Sequence, residues 1–289
     1  MSRFPCSIIL RAAVLASVLL TTTSAMAADR GDRLADLLSG EIDQAILSVL
    51  WVASPGWAQE DGQGQPEGVV IEVMNRFGDW LEQEHGLNVL LQFEEEADWR
   101  YFYARVRDGQ DGLFGLGNVT ITEERARELA FSPPYIHNVA VLISSSEHAE
   151  LTHPDALADQ LEGLTAMAFA DTLHEQRLTA LAQSFWPAMP IDRTGSNDRI
   201  LQAAAEGTHF GYIDGYHYAR AAGEGLPIRR HPAFDDPGES FGIIMPLDND
   251  WQGLLEEFFA AEGGLLGSEW YRELLMNYLG PSVLDLLEG

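Results

Sequence analysis

The chain contains no lysine: all 17 of its basic residues are arginine, set against 45 acidic residues in a length of 289. That absence excludes a Schiff-base lysine, a P-loop lysine and a Ser-x-x-Lys acylation site. Cysteine is nearly as scarce. The single Cys6 precedes an apolar stretch, Ile8 to Leu20, which follows Arg3, is interrupted by Arg11 and is followed by Ala25-Met26-Ala27. This is the arrangement of a cleaved export leader, too short and interrupted to span a bilayer. Residues 1–27 are therefore expected to be a signal peptide and the remainder to be exported, without disulfides, thiolate metal sites or a cysteine nucleophile. The eight histidines are scattered, with no H-E-x-x-H pair, so no metal is expected. Gly238-Glu239-Ser240-Phe241-Gly242 spells G-x-S-x-G, but it precedes a strand pattern and the last histidine, His231, lies before it. Gly112, Gly115 and Gly117 do not spell a dinucleotide fingerprint and read as close packing at a strand end. No catalytic residue and no cofactor is expected.

The charge is lopsided as well. A net charge of −28 repels phosphate and argues against nucleic-acid partners. Such acidity fits a high-salt, halophilic habitat, where surface carboxylates hold water and their mutual repulsion is screened; the alternative is simply an acidic exported protein.

Residues 28–289 suffice for one large domain or two lobes. Ile46 to Val52 reads as a buried strand, and Ala53 to Gly68 as a Gly/Pro/Gln-rich loop. Val70, Val73, Met74, Phe77 and Leu81 mark one face of a helix. Val89 to Phe93 is a strand, and Trp99, Phe102, Tyr103 and Val106 repeat the helical spacing. With a strand near Gly112 this gives β-α-β-α-β, hence a mostly parallel sheet flanked by helices. Val139 to Ile143 is a strand leading to a crossover. A second α/β unit follows, with strands at Thr165 to Ala170 and Phe210 to Ile213. Its helices are expected at Thr172 to Phe185, at Asp198 to Ala205 (capped by Ser196 or Asn197) and at Tyr216 to Ala222. Phe241 to Pro246 is the returning strand, and helices are expected near Trp251 to Ala261 and Ser268 to Leu279.

The most informative run is Gly112 to Tyr135, GLFGLGNVTITEERARELAFSPPY. It reads as a strand end, a small-residue turn and a helix opening at Thr120. A helix N-terminus offers free N–H groups and partial positive charge to an anion, and Arg125 one turn in adds a fork that matches a carboxylate. Thr120 to Glu123 fits the capping box. The stretch resembles the "(S/T)-I-T-x-x-R … F-S-x-P-Y" segment of family-3 bacterial extracellular solute-binding proteins, the receptors of amino-acid ABC importers. The resemblance covers nearly all of the chain after the leader.

It implies an α/β, two-lobed periplasmic-binding-protein-like fold of type II, each lobe a mostly parallel sheet flanked by helices, joined by two crossover hinge strands. Lobe 1 would comprise 28–142 and 244–289, and lobe 2 would comprise 143–243. The ligand's carboxylate would be gripped by Arg125, with Thr120 donating to the same anion. Gly117 (through its backbone) and Asn118 would lie near the ligand's amino group, and Trp99 would cover its side chain. Trp51 or Trp57 would stand opposite, in place of an aromatic the family has before the proline. Asp171-Thr172-Leu173 occupies the family's G-T-T anion-binding turn, so Thr172 would donate there. Gly207 to Asp214, GTHFGYID, resembles "G-x-x-D-A-x-x-x-D"; it is one residue shorter and carries Phe210 for the first aspartate, so Asp214 would pair with the ligand's ammonium. The implied function is a periplasmic, monomeric, non-enzymatic receptor that hands a small carboxylate-bearing solute, an amino acid or derivative, to a membrane permease. The alternatives are a cyclohexadienyl-dehydratase-like enzyme with Asp214 as general acid, or a sensing module for a membrane receptor.

Overall fold

The computed structural model describes residues 29–288; the expected leader, Cys6 included, lies outside them. The chain begins with α1 (Leu34–Ser39), β1 (Ala45–Trp51), a small hairpin β2–β3 (Gln59–Glu60 and Pro66–Glu67), α2 (Val69–His85), β4 (Val89–Glu95), α3 (Trp99–Asp108) and β5 (Leu113–Thr120). A short β6 (Ala130–Phe131) and a long β7 (Ile136–Ser145) follow. Then come α4 (Leu157–Gln160), β8 (Thr165–Phe169), α5 (Leu173–Phe185), β9 (Ile191–Thr194), α6 (Asn197–Ala205), β10 (His209–Asp214), α7 (Gly215–Gly223) and β11 (Ile228–Arg230). A second long strand, β12 (Asp236–Met245), leads to α8 (Gln252–Ala260), α9 (Glu269–Leu279) and α10 (Pro281–Glu288).

Ten strands form one sheet in the order β4-β1-β5-β12-β7-β10-β8-β9, with β6 beside β12 and β11 beside β7. β1 pairs in parallel with β4 and β5, and β8 pairs in parallel with β10 and β9. β7 and β12 run antiparallel to each other and to their outer neighbours β10 and β5. Two parallel half-sheets are thus stitched together by two long strands.

The local physics follows the sequence closely. In α2 the residues Val70, Val73, Met74, Phe77 and Leu81 are all buried, as their spacing requires. Burial of each such side chain is worth roughly 1.5–3 kcal/mol. Gly86 ends the helix in the left-handed region (φ 65°), where a glycine carries no side-chain penalty. The largest apolar cluster lies against the first half-sheet, and two smaller ones pack around the second. α7 breaks this division: Tyr216 and Ala219 belong to the first cluster, together with Leu279, Val283 and Leu284. A Cβ on Gly215 would stand 2.7 Å from Leu286 Cδ2 and 2.9 Å from the Val139 carbonyl, so α7 and α10 approach as closely as they do because that residue is glycine.

The helix predicted to open at Thr120 does not form. Thr120 is still in β5, paired with Phe241 of β12, and the segment makes only a 3₁₀ turn at Arg125–Arg127. Sheet pairing takes the backbone that the capping box needed. Thr122 caps instead, its Oγ1 accepting from the Arg125 N–H at 3.2 Å.

Candidate ligand-binding site

A cleft of about 250 Å³ opens between the ends of β1 and β5 and the start of α3 on one side and the starts of α5, α6 and α7 on the other, with β12 contributing Glu239 and Phe241. All seven residues singled out from sequence, Trp99, Gly117, Asn118, Thr120, Arg125, Thr172 and Asp214, line it. Arg100 and Asp171 face each other across the two sides at 4.0 Å, both largely exposed.

On the first wall, Arg125 is half-buried; its Nη1 donates to the Thr120 carbonyl at 3.0 Å and its guanidinium lies 5.8 Å from the Tyr103 ring centre. Among the described residues no carboxylate lies within ion-pair distance of it. Burial pushes its pKa down, opposed by Tyr103 and Glu239, though an arginine stays charged regardless. Trp99 opens α3 behind the cap of Asp98, which accepts from the Arg100 N–H at 2.8 Å, and its ring leans on Phe102 at 5.6 Å. Gly117 offers backbone only because it must: a Cβ there would sit 2.5 Å from the Phe102 ring.

Asn118 lines the cleft and also ties its wall together. It adopts φ 52°, a conformation asparagine tolerates better than most residues. Its Oδ1 accepts from the Tyr135 hydroxyl at 2.7 Å, and its Nδ2 donates to Ser54 at 3.1 Å and to Tyr216 at 2.9 Å. Both amide protons are used, so the side chain ties β5 to α7 and has no donor left for a ligand. Trp51 and Trp57 do not line the cleft. Trp57 is fully buried between Tyr135 and Tyr216, at 5.7 and 5.4 Å, and Trp51 is buried at the end of β1. The cleft is lined there by Val52, Ala53, Ser54 and Pro55.

On the second wall, Thr172 precedes α5, but its hydroxyl donates to the Phe169 carbonyl at 2.8 Å and does not cap the helix. Asp214 ends β10 and is nearly enclosed. Its Oδ1 accepts from Asn138 Nδ2 at 2.8 Å and lies 3.3 Å from His174 Nε2. Asn138 Nδ2 also donates to Glu239 Oε2 at 2.9 Å, and Glu239 Oε1 pairs with Arg177. Arg177 Nη1 closes the circuit on His174 Nδ1 at 3.2 Å. Burial alone would raise the Asp214 pKa; His174, His217 and Asn138 together outweigh it and hold the carboxyl below its usual value. Phe210, standing where an aspartate was expected, is fully buried and stacks on Trp186 at 6.1 Å.

The model of the bacterial extracellular solute-binding proteins, family 3, matches residues 47–281. The chain belongs to this family. The solved structures it resembles are amino-acid-binding proteins. One is a substrate-binding protein of an ABC uptake transporter from Streptococcus pneumoniae with bound histidine (17% identity, 86% of this chain and 98% of that one, TM-score 0.63). Another is an ancestral amino-acid-binding protein, a precursor of cyclohexadienyl dehydratase (17%, 85% and 98%, TM-score 0.59). At such identities the likeness establishes the two-lobed fold. A curated relative, the membrane-bound lytic murein transglycosylase F of Maricaulis maris, is 28% identical over 198 residues, and the match spans 68% of this chain but only 40% of that protein. Within the described residues no helix is long and apolar enough to cross a membrane, and no group of side chains suits a metal ion.

Sequence reasoning passed over several residues of this family-3 cleft. His174 directly follows the departure at Leu173, and His217 lies three residues beyond Asp214. Glu239 sat inside the G-x-S-x-G decoy. A register shift between Pro237 and Glu239, with Gly238 at φ 99°, places Glu239 at the cleft; such bulges re-aim side chains. Ser240, the apparent nucleophile, lies within β12 and contacts exposed His137 at 2.9 Å.

Proposed function

We propose that this protein is a periplasmic receptor that captures a small zwitterion, an α-amino acid or close derivative, between lobe 1 (28–142 and 244–289) and lobe 2 (143–243), and presents it to the permease of an ABC importer. One observation carries the reading. Among the described residues, Arg125 faces the cleft with no carboxylate within ion-pair distance, and across the cleft Asp214 keeps Oδ2 without a hydrogen-bond partner. A half-buried cation and a nearly enclosed carboxylate, each with one side unsatisfied, complement a carboxylate and an ammonium at the two ends of one small molecule. Closure of the lobes around such a ligand needs no catalytic group.

A thermal-shift screen of amino acids, compatible solutes and small carboxylates tests this, because a ligand binding only the folded state raises stability by mass action. Isothermal titration then weighs the arginine. Arg125→Ala should cost roughly 2–5 kcal/mol, since the ligand's anion would be left buried and unpaired. An unchanged affinity would remove Arg125 from the site. A dehydratase-type reaction would need the Asp214 carboxyl protonated near neutral pH. The hydrogen bonds that hold it ionised favour binding over that chemistry, and loss of absorbance in a prephenate assay would reverse that preference.

A further inference from the structure

Five side chains on the second wall, Arg177, His174, Asp214, Asn138 and Glu239, form a closed polar ring of four hydrogen bonds and one ion-pair contact, His174 Nε2 to Asp214 Oδ1. The ring determines where one proton sits. Arg177 Nη1 lies 3.2 Å from His174 Nδ1, and a guanidinium can only donate. His174 Nδ1 is therefore an acceptor, its ring proton is on Nε2, and Nε2 lies 3.3 Å from Asp214 Oδ1. Arg177 is itself fixed, paired with Glu239 and, at 2.7 Å, with Asp236. Asn138 directs one amide proton to each carboxylate, again to Oδ1 of Asp214. Every protein donor to Asp214 among the described residues thus lands on the same oxygen.

We propose that His174, oriented by Arg177, is the specificity-determining positioning residue of the cleft: it locks the Asp214 carboxylate so that Oδ2 is reserved for a ligand ammonium, and the site thereby prefers α-ammonium acids to the same acids lacking the amine. The selection has two parts. An ammonium meets a carboxylate already held in place, so little ordering is needed on binding. A des-amino ligand leaves Oδ2 dry and unpaired, and a site built to pair a polar group strongly rejects the analogue that lacks it. His174 is not itself a free ligand contact, because both ring nitrogens are engaged within the ring. His217 stands apart from the ring: its Nε2 contacts Asn197 at 2.9 Å and its Nδ1 has no hydrogen-bond partner among the described residues.

The inference rests on the amino-acid reading above, and the experiment separates the two. The standard L-amino acids are screened by thermal shift; the best binder is then paired with the carboxylic acid that has hydrogen in place of its ammonium. Both are titrated into the wild-type protein, His174→Leu and His174→Gln. Leucine removes the donor while keeping much of the volume, whereas glutamine restores an N–H at comparable reach. His174→Leu is expected to lose about ten- to a hundredfold in affinity for the amino acid, with the des-amino acid unchanged, and His174→Gln to recover most of that loss. A His174→Leu protein that keeps the wild-type ratio, or that loses both ligands equally as a merely structural residue would, overturns the proposal. If no amino acid binds the wild type, the receptor reading fails and takes this inference with it. Should His174→Leu not fold, ¹⁵N NMR of the wild-type imidazole decides the matter: a proton on Nε2 with bare Nδ1 is expected, and a proton on Nδ1 refutes the ring.

Discussion

Asn118 shows how much of a binding wall is devoted to holding itself together. Its carboxamide satisfies the hydroxyls of Tyr135 and Tyr216 and the side chain of Ser54, which come from three separate segments. Both tyrosines are buried, and Tyr271 donates in turn to the Tyr135 carbonyl. Removing the amide strands the buried Tyr135 hydroxyl, at roughly 1–3 kcal/mol if left unpaired, and leaves Tyr216 only its Ser54 contact at 3.2 Å. Asn118→Gly, which tolerates φ 52° equally well, should therefore lower the unfolding free energy by about 1–3 kcal/mol in urea titrations. Because the side chain has no donor left for a ligand, its effect on affinity should be smaller than that of Arg125→Ala. An Asn118→Gly protein of unchanged stability but lost binding would return Asn118 to direct ligand contact. Asp214 is the opposite case. It is the residue of the second wall whose chemistry faces the ligand, and Asp214→Asn should abolish the preference for an ammonium while leaving the ring's geometry nearly intact.

Among the elements, α7 has the most unusual position. It starts at Asp214 in the cleft, packs Tyr216 into the large core of the first half-sheet, and presses Gly215 against Leu286 of α10. Gly215→Ala pushes a methyl to within 2.9 Å of the Val139 carbonyl. The expected cost is about 1–3 kcal/mol, read from the denaturant midpoint, with weaker ligand binding because Asp214 moves with the helix start. Elements with an unambiguous period were legible in the sequence. α2, α3 and α6, with their buried faces and the Ser196 cap on α6, stand where the apolar spacing puts them. β9, the hairpin β2–β3 and α10 were not legible: the strands involved run two to four residues, and α10 has a single visible turn of pattern after a proline. The Thr120 opening failed because a capping box is a local signal, and β12 pairing with β5 is a distant one that overrides it. For the site, the residues carried by motifs came together in one cleft. His174, Asn138 and Glu239 were missed because their ring closes through hydrogen bonds between residues as far as 76 and 101 positions apart, which no spacing rule reaches.

At the scale of the whole molecule, two titrations and one bulk charge set the response to solvent. His217 and His231 are buried, and desolvation is the main cause that pushes their pKa values down to about 4 from 6.5. His231 is locked as an acceptor from the Leu151 N–H at 3.0 Å and sits 2.9 Å from Ser144 Oγ. A histidine depressed on folding binds its proton more readily in the unfolded chain. Its stabilising contribution is therefore complete above about pH 6.5 and is lost as pH falls from there towards 4. The two together should take several kcal/mol from the unfolding free energy across that interval, because each tenfold difference in proton affinity between the folded and unfolded chain is worth about 1.4 kcal/mol. Urea midpoints at pH 7.5 and 4.5 check this; a flat profile would mean that neither ring is buried neutral. Carboxylates held low, such as Asp214, add their loss only at more acidic pH, below their ordinary value of 3.8. The net charge of −28 predicts a second dependence: if the chain belongs to a saline habitat, its melting temperature should climb steeply between low and molar salt as repulsion is screened. Salt-independent melting would leave the acidity without that explanation.

The pair Arg100 and Asp171 at the cleft mouth has a practical consequence. The two residues are exposed, sit on opposite walls at 4.0 Å, and contribute little to stability as a surface ion pair. The only cysteine in the sequence is Cys6, inside the expected leader, and there is no lysine to compete for thiol-reactive dyes. Arg100→Cys with Asp171→Cys, made without residues 1–27, would give a chain with only two thiols, both at the edge where the walls meet. Two fluorophores attached there would report any parting of the walls as a change in colour, making the protein an optical gauge for whatever solute it holds.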